Sequence, residues 1–525
     1  VAGVLLLCSC SVGLVLAAWG LSQDAAPGLE ISGSRTTVLD AISASSLEGH
    51  VSFLASDALE GRGTPSAGLD MAAEYIAAQF RRAGLEPGGN DGYFQSSTWG
   101  VLEPDAASFR CEVASQAERI FVRVGQVTLT DRGAIDLENT PLIFLKSTDE
   151  TALAALTLEQ VEGKAVACAI PEIPAGAAQR SRLALGRLQS PVVDRLKELK
   201  AGAVVWLDAA SSRGNGLPAG RLIDPDNSNA GAARPAAAPA RPVSLTIHDA
   251  AARTLIESGT ETTLTLKLGA AAQRAVTLRN VAGILRGSDP ELKDSFLIVS
   301  AHYDHLGVGG QAGQADHIFN GANDDASGTA MVIELAAALA KSQPRPKRSI
   351  LFLTFFGEEQ GLLGSRYYGR HPIVPLEQTA AMVNLEHMGR TDDSEGEQKG
   401  RASLTGFDFS DVGPVLERAG KSTDVEIFKH PRNSDSFFGR SDNQALADRG
   451  VPAHTLCTAF IFPDYHAVGD HWDKIDYQNM AKVGRAVALG LLQLADQEAA
   501  PRWNESNSKT SRYVKAWKAM HEKAE

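Results

Sequence analysis

The sequence predicts an α/β fold: a mixed, largely parallel central sheet with helices on both faces, interrupted by a small β-rich insert. Three observations carry that expectation. The chain has 525 residues, more than one ordinary domain needs and enough for a large core. From Asn280 onward, apolar runs of strand length alternate with helical patterns, as a sheet covered on both faces requires. Between about Asp136 and Leu268 the texture changes to short β-type runs around one amphipathic helix. The 63 acidic residues outnumber the 50 basic ones, for a formal charge of −13, which gives no electrostatic reason for a nucleic-acid partner.

Taken in order, residues 1–20 are apolar and uncharged, about the length of a signal-peptide core with its cleavage region. Residues 1–26 are therefore expected to be a signal peptide or N-terminal anchor. The protein is expected to be exported, periplasmic or extracellular, with no stable membrane insertion beyond that segment. A first structural part, 39–135, opens with helical patterns. In AGLDMAAEYIAAQFRRAGLEP, Met71, Tyr75, Ile76 and Phe80 are read as one face, ending at Gly84 with Pro87 beyond. Strand-like ERIFVRVGQVTLT and TPLIFLKS follow. The insert, 136–270, holds GKAVACAI, AGAVVWLDA and RPVSLTI, the helical PVVDRLKELKAG, and an Ala/Pro-rich stretch at 229–242 that reads as a surface loop. The second part, 271–498, alternates strand (DSFLIVSAH, KRSILFLTFFGEE, AAMVNLEHM, VPAHTLCTAF) with helix (GTAMVIELAAALAKS, VGPVLERAG, MAKVGRAVALGLLQLADQE). Residues 499–525 read as a polar tail. Of five cysteines, Cys8 and Cys10 lie in the leader, so Cys111, Cys168 and Cys457 allow at most one disulfide. There is no Cys-x-x-Cys pair to support a thiolate metal site.

Histidine and carboxylate residues sit just after the apolar strand runs of the second part. His302 follows FLIVSA, Glu358 and Glu359 follow SILFLTFFG, Glu386 follows AAMVNL, and His466 comes shortly after PAHTLCTAFIF. The carboxyl ends of strands line the ligand crevice of an open α/β sheet, so these groups converge although they are distant in sequence. Together with Asp324 they form a nitrogen/oxygen set suited to zinc. Five ligands exceed what one tetrahedral catalytic zinc can use, and a carboxylate such as Asp324 can bridge two metals through its two oxygens. A two-metal site also needs a nearby carboxylate that is not a ligand, and consecutive Glu358 and Glu359 offer that division of labour. A lone carboxylate is usually solvated and a lone histidine usually a structural hydrogen-bonder, so the argument rests on convergence. His305, His317, His387, His454 and His471 lie near these positions and compete for the ligand roles, whereas His371 and His430 read as surface residues.

The ordered motifs SAHYDHLG, NGANDDASG, FFGEEQGLLGS, NLEHMGR and DYHAVGD resemble those of the co-catalytic dizinc exopeptidases, the family of bacterial leucyl aminopeptidases and glutamate carboxypeptidases. The resemblance extends to FLASDALEGRGTPSAGLDMAAEYIAAQFRRAGLEP and SDNQALADRGVPAH, and the insert is similar to a protease-associated domain. It implies two Zn2+ per chain, held by His302, Asp324, Glu359, Glu386 and His466, with Asp324 bridging and Glu358 as general base. It also implies a cis peptide between Asp324 and Asp325, a supporting role for Asp304 behind His302, and Tyr465 near the oxyanion. The sequence departs from the commoner pattern at Glu386, where many relatives have Asp, at Asn323, where acidic residues are frequent, and at Asn443, where His is frequent.

The expected activity is hydrolysis of the N-terminal bond of peptide substrates. A carboxypeptidase is the alternative, disfavoured because no arginine cluster stands out to clamp a carboxylate, although Arg432 and Arg440 remain candidates. A glutaminyl cyclase-like acyltransferase would use a single zinc, and a receptor-like binding protein would lack catalysis. Retention of Glu358 and all five ligands argues against both.

Overall fold

The computed structural model describes residues 33–131, 133–170, 181–209, 216–218, 220–226, 241–309, 315–391, 396 and 398–522, the side chains of 34 and 181–188 excepted. The expected leader at 1–26 and most of the Ala/Pro-rich stretch therefore lie outside the described residues. Helix α1 (Ala44–Leu54) is opened by Ser43, whose hydroxyl accepts from Ser46 N at 3.2 Å. Helix α2 (Ala67–Arg82) is opened in the same way by Ser66, which accepts from Leu69 N at 3.0 Å. Its buried stripe is Leu69, Ala72, Ala73, Ile76, Ala77 and Phe80. Met71, read from the sequence as part of that face, is 46% exposed. At about 100° per residue it lies on the side opposite Leu69, Ala73, Ile76 and Phe80, and the alanines let the helix approach its neighbours closely.

Strand β1 (Phe94–Ala114) starts beside the central strands and runs out toward the strands of residues 135–247. There β2 (Ile135–Leu145), β3 (Ala165–Ala169), β4 (Ala203–Leu207) and β5 (Val243–Ile247) lie side by side in parallel. Helix α3 (Ser181–Glu198) places Val192 and Leu196 in a core with Val166, Val204 and Trp206. A second apolar cluster joins Leu245, Ile247, Leu264 and Leu266 to Cys111, Val113, Val122, Val127 and Leu129, so this packing unit recruits chain upstream of residue 136. Strand β6 (Thr262–Leu285) returns antiparallel to β1, from Thr263 opposite Ala114 to Val281 opposite Phe94.

The main sheet then adds β7 (Phe296–His302), β8 (Ser349–Phe355), β9 (Thr379–Leu385), β10 (Arg401–Leu404), β11 (Glu426–Phe428) and β12 (Ala453–Cys457). The spatial order is β11-β10-β12-β9-β7-β8-β6, with β12, β9, β7 and β8 mutually parallel. Alternate residues of each central strand enter different cores, as the two-residue period of a strand demands. Leu297, Val299, Ile350, Phe352, Ala381 and Val383 join one core, while Ile298, Leu351, Leu353 and Met382 join the other. Helices α4 (Ser327–Leu339), α5 (Val412–Ser422) and α6 (Tyr477–Asp496) cover the first face.

Within the segment 499–525, read as a polar tail, residues 503–517 instead pack on the other face. Trp503 and Tyr513 are buried there, their rings stacked with centroids 4.9 Å apart, and Trp503 Nε1 donates to Gly450 O at 2.7 Å. Two large aromatics ten residues apart outweigh the polar average of the segment, and they anchor helix α7 (Ser511–His521). Cys111, Cys168 and Cys457 are buried free thiols. Among the described residues no helix is long and apolar enough to cross a membrane.

Candidate metal centre and active site

The ends of the parallel strands deliver the polar groups. His302 is the last residue of β7, Glu358 and Glu359 follow β8 through Gly357 (φ 67°), and Glu386 follows β9. Asp324 lies in the turn Ala322–Ala326 that enters α4, and its peptide bond to Asp325 is cis. Gly321 precedes that turn at φ 60°, where a Cβ would come within 2.3 Å of Asp324 O and 2.5 Å of His305 Cγ. Only glycine permits this approach. His466 sits at φ 55° in the loop beyond β12.

Asp324 is the centre of the arrangement. Its Oδ1 lies 3.3 Å from His302 Nε2 and 3.6 Å from His387 Nε2. Its Oδ2 lies 3.1 Å from His466 Nε2 and 3.9 Å from His305 Nδ1. Glu359 reaches the second group, with Oε2 3.2 Å from His466 Nε2 and Oε1 2.7 Å from His305 Nδ1. Glu386 Oε1 reaches the first, 3.7 Å from His387 Nε2. Donor atoms of His302, Asp324 and Glu386 lie within 4.8 Å of one another, as do those of His305, Asp324 and Glu359. Two donor clusters thus share one carboxylate. His302 Nε2, His305 Nδ1, His387 Nε2 and Glu359 Oε1 are buried and make no hydrogen bond. Unpaired buried lone pairs of this kind carry a large desolvation cost, and a cation held between them offsets it, so the donor set fits a pair of divalent ions.

The surroundings tune these groups. Burial pushes the Asp324 carboxyl up, but His302, His387 and His466 outweigh it and hold it well below the usual range. Burial raises Glu358 well above its ordinary value, and Glu386, Asp442 and Glu359 add repulsion against the pull of His302. Burial and Asp324 push Glu359 up, yet its contacts with His305 and His466 keep it below the usual value. Asp304 links two positions: its Oδ1 lies 3.5 Å from His302 Nδ1 and accepts from Glu358 N at 3.0 Å. Its backbone oxygen is the nearer partner of His302 Nδ1, at 3.2 Å. Asp325 faces the other way, with Oδ1 accepting from Gly328 N at 3.1 Å and His387 N at 3.2 Å. The Tyr465 ring stacks on His466 with centroids 4.0 Å apart.

Of the competing histidines, His305 and His387 enter the site and the other three do not. His454 is buried between Ser410 Oγ (2.6 Å) and Thr405 O (2.9 Å), His317 is exposed, and His471 faces Asp316 at 3.3 Å. His371 is on the surface, paired with Asp226 at 2.8 Å. His430, read as a surface residue, is buried: its Nδ1 accepts from Asn433 N at 3.0 Å, and its ring lies 5.5 Å from that of Phe460. Asn433 is the first residue of the short helix Asn433–Ser436. Asn323 braces the site, its Oδ1 accepting from Gly389 N at 2.8 Å. Asn443 is tied to Phe438 O, Ala453 O and Thr455 away from the donors.

Two residues escaped the sequence reading although both lie in motifs it quoted. Asp470 accepts from Asn323 N and Asp324 N at 3.0 to 3.1 Å, fixing the backbone that carries Asp324. Arg62, fully buried, donates to Leu54 O, Tyr303 O, Asn320 O and Gly321 O at 2.5 to 2.9 Å.

Residues 280–490 match the description "Peptidase family M28". The match takes in about two fifths of the chain, and over those residues the chain is similar to that family. The chain is similar in sequence to fungal and bacterial proteins. A "Probable zinc metalloprotease" of Pyrenophora teres f. teres is 36% identical over 246 residues, 43% of this chain and 50% of that protein. "Aminopeptidase YwaD" of Bacillus subtilis is 27% identical over 244 residues, 45% of this chain and 49% of that protein. The chain thus spans about half the length of these curated relatives. In structure, the chain is similar to "BSAP, a zinc aminopeptidase from Bacillus subtilis", at TM-score 0.53 and 19% identity over 87% of this chain and 96% of that one. An aminopeptidase from Aneurinibacillus sp. strain AM-1 aligns at TM-score 0.50 and 19% identity, over 90% of this chain and 97% of that one. At this identity the likeness concerns the fold, and it runs through both packing units.

Proposed function

We propose that the chain is a zinc-dependent aminopeptidase that removes N-terminal residues from peptides. The observation that carries this reading is Asp324, whose two carboxylate oxygens face separate donor clusters beside the raised carboxyl of Glu358. His302, Asp324 and Glu386 would hold one ion, and Asp324, Glu359 and His466 the other. When bound, such a pair supplies Lewis acidity toward the scissile carbonyl and lowers the pKa of water to roughly neutral. Glu358 takes the proton of the attacking water on its carboxylate and returns it to the departing amine. Asp304 holds the Glu358 backbone in place, and Tyr465 lies on His466 where its hydroxyl can approach the oxyanion.

The surplus of carboxylates around the centre attracts a free ammonium and repels a free carboxylate, which favours amino- over carboxypeptidase action. Beside Glu386 and His387 opens a cavity of about 120 Å³, walled by Phe437, Phe460, Ile461 and Tyr465. A cavity of roughly 150 Å³ admits benzene, so this one suits a single medium-sized apolar side chain. Arg440 also lines it, with its guanidinium 4.4 Å over the Phe437 ring.

The test is metal content per chain together with hydrolysis of aminoacyl chromogenic substrates, for the parent and Glu358→Ala. Two zincs, preference for leucyl over aspartyl substrates, and a variant that keeps its metal but loses about 100-fold or more in turnover are expected. One zinc with cyclisation of N-terminal glutamine, or two zincs without hydrolysis, would overturn the reading.

A further inference from the structure

The five-residue donor set leaves two buried imidazoles at the centre without a role. We propose that both are metal ligands, so that each ion is held by two imidazoles: His387 joins His302 on one, and His305 joins His466 on the other. The assignment rests on the metal centre proposed above.

His387 decides its own tautomer. Its Nδ1 faces the carbonyl oxygen of Ala459 at 3.1 Å, which requires the proton there. Nε2 is then a bare lone pair in the neutral ring, and it points at two further acceptors, Asp324 Oδ1 at 3.6 Å and Glu386 Oε1 at 3.7 Å. Three acceptors with no hydrogen between them repel, and a cation at their centre reverses the sign. A carbonyl accepting from the far nitrogen is also how metal-bound histidines are ordinarily fixed. His387 sits at φ 53°, and this left-handed backbone turns its ring back toward the residue just before it.

His305 is fully buried, and neither ring nitrogen makes a hydrogen bond. Its Nδ1 lies 2.7 Å from Glu359 Oε1, yet the pair misses hydrogen-bond geometry and that oxygen also has no partner. Two heteroatoms this close without a shared hydrogen fit two donors aimed at one ion. The ring occupies space that Gly321 leaves open, since a Cβ there would meet His305 Cγ at 2.5 Å. Ligand bonds of 2.0 to 2.1 Å in tetrahedral geometry place donor atoms roughly 3.3 Å apart. The separations within the two groups, 3.3 to 3.7 Å and 2.7 to 3.9 Å, bracket that value.

A purely structural histidine would satisfy its nitrogens as His454 does, with a carbonyl on one side and a hydroxyl on the other. His305 satisfies neither nitrogen, and His387 satisfies Nδ1 alone. Four protein donors per ion would leave room for water or substrate only by expansion to five-coordination, which suits zinc and cobalt.

X-ray absorption on the zinc-loaded full chain counts imidazoles per metal without any substitution, and an average near two is expected. His305→Ala and His387→Ala should each weaken one of the two sites by about tenfold or more in a chelator-competition titration. Each should also change the visible absorption of the cobalt-loaded protein, as a lower coordination number does. An average near one, with variants that bind both ions as the parent does, would overturn the assignment. A parent that retains no zinc at all would overturn the metal reading itself.

Discussion

Burial works against the charged form of the buried histidines, and their neighbours decide whether it prevails. At the metal centre imidazoles face carboxylates, whereas His454 lies fully buried between a carbonyl and a hydroxyl, with no acid to favour its charged form. Desolvation therefore lowers its pKa to about 4. The unfolded chain, with an ordinary value near 6.5, binds more protons between those two pH values. The stability that neutral His454 contributes is complete above pH 6.5 and is lost as pH falls through 4, by about 3 kcal/mol at most. Chemical denaturation from pH 7 to 4 should show this slope in the parent. His454→Gln, which cannot titrate, should flatten it, and an unchanged slope would assign the acid sensitivity to other groups.

At the scale of elements, side-chain-to-backbone bonds reinforce the backbone pairing that brings the segments of the site together. Arg62 ties the end of α1 at Leu54 to Tyr303, next to His302, and to Asn320 and Gly321, just before the Asp324 turn. Arg62→Met keeps the stem and removes every donor, so four carbonyls lose their bond to the guanidinium at once, and of these Gly321 O keeps Ala326 N at 3.2 Å. A loss of about 3 kcal/mol or more is expected, together with weaker metal binding, by urea denaturation and zinc titration. If both stay at parental values, the N-terminal segment does not support the site. Much of this architecture was legible in the sequence, because strand ends carry the chemistry: an apolar run followed by His302, Glu358 or Glu386 places those groups at the crevice. The long β1 and β6 ribbons were not legible, since their middles, around Asp105 and Gln273, are polar and largely exposed. Nor could pattern separate His305 and His387 from His317 and His454. What distinguishes them is backbone conformation and the room beside Gly321, which spacing does not encode.

Across the whole molecule, the same cluster that would bind metal stores electrostatic stress when metal is absent. Burial raises Asp325 and Glu358 well above their ordinary values, raises Asp470, and lifts Asp442 to about 7. A chelated protein relieves that stress by taking up protons, whereas two dications relieve it by charge. An ion present at about 1,000 times its Kd stabilises the folded state by roughly 4 kcal/mol, so chelation should lower the midpoint of thermal unfolding and added zinc should restore it. The pH dependence follows from the raised values. For Asp442 the folded pKa lies above the unfolded one, so its protonated form supports the metal-free fold below about pH 4 and that support is lost as pH rises through 7. The drop in midpoint on chelation should therefore be larger at pH 8 than at pH 6, and metal binding at pH 6 should release protons measurable in a weakly buffered titration. Equal drops at both pH values, with no proton release, would mean that the buried carboxylates are already ionised and balanced by the imidazoles around them.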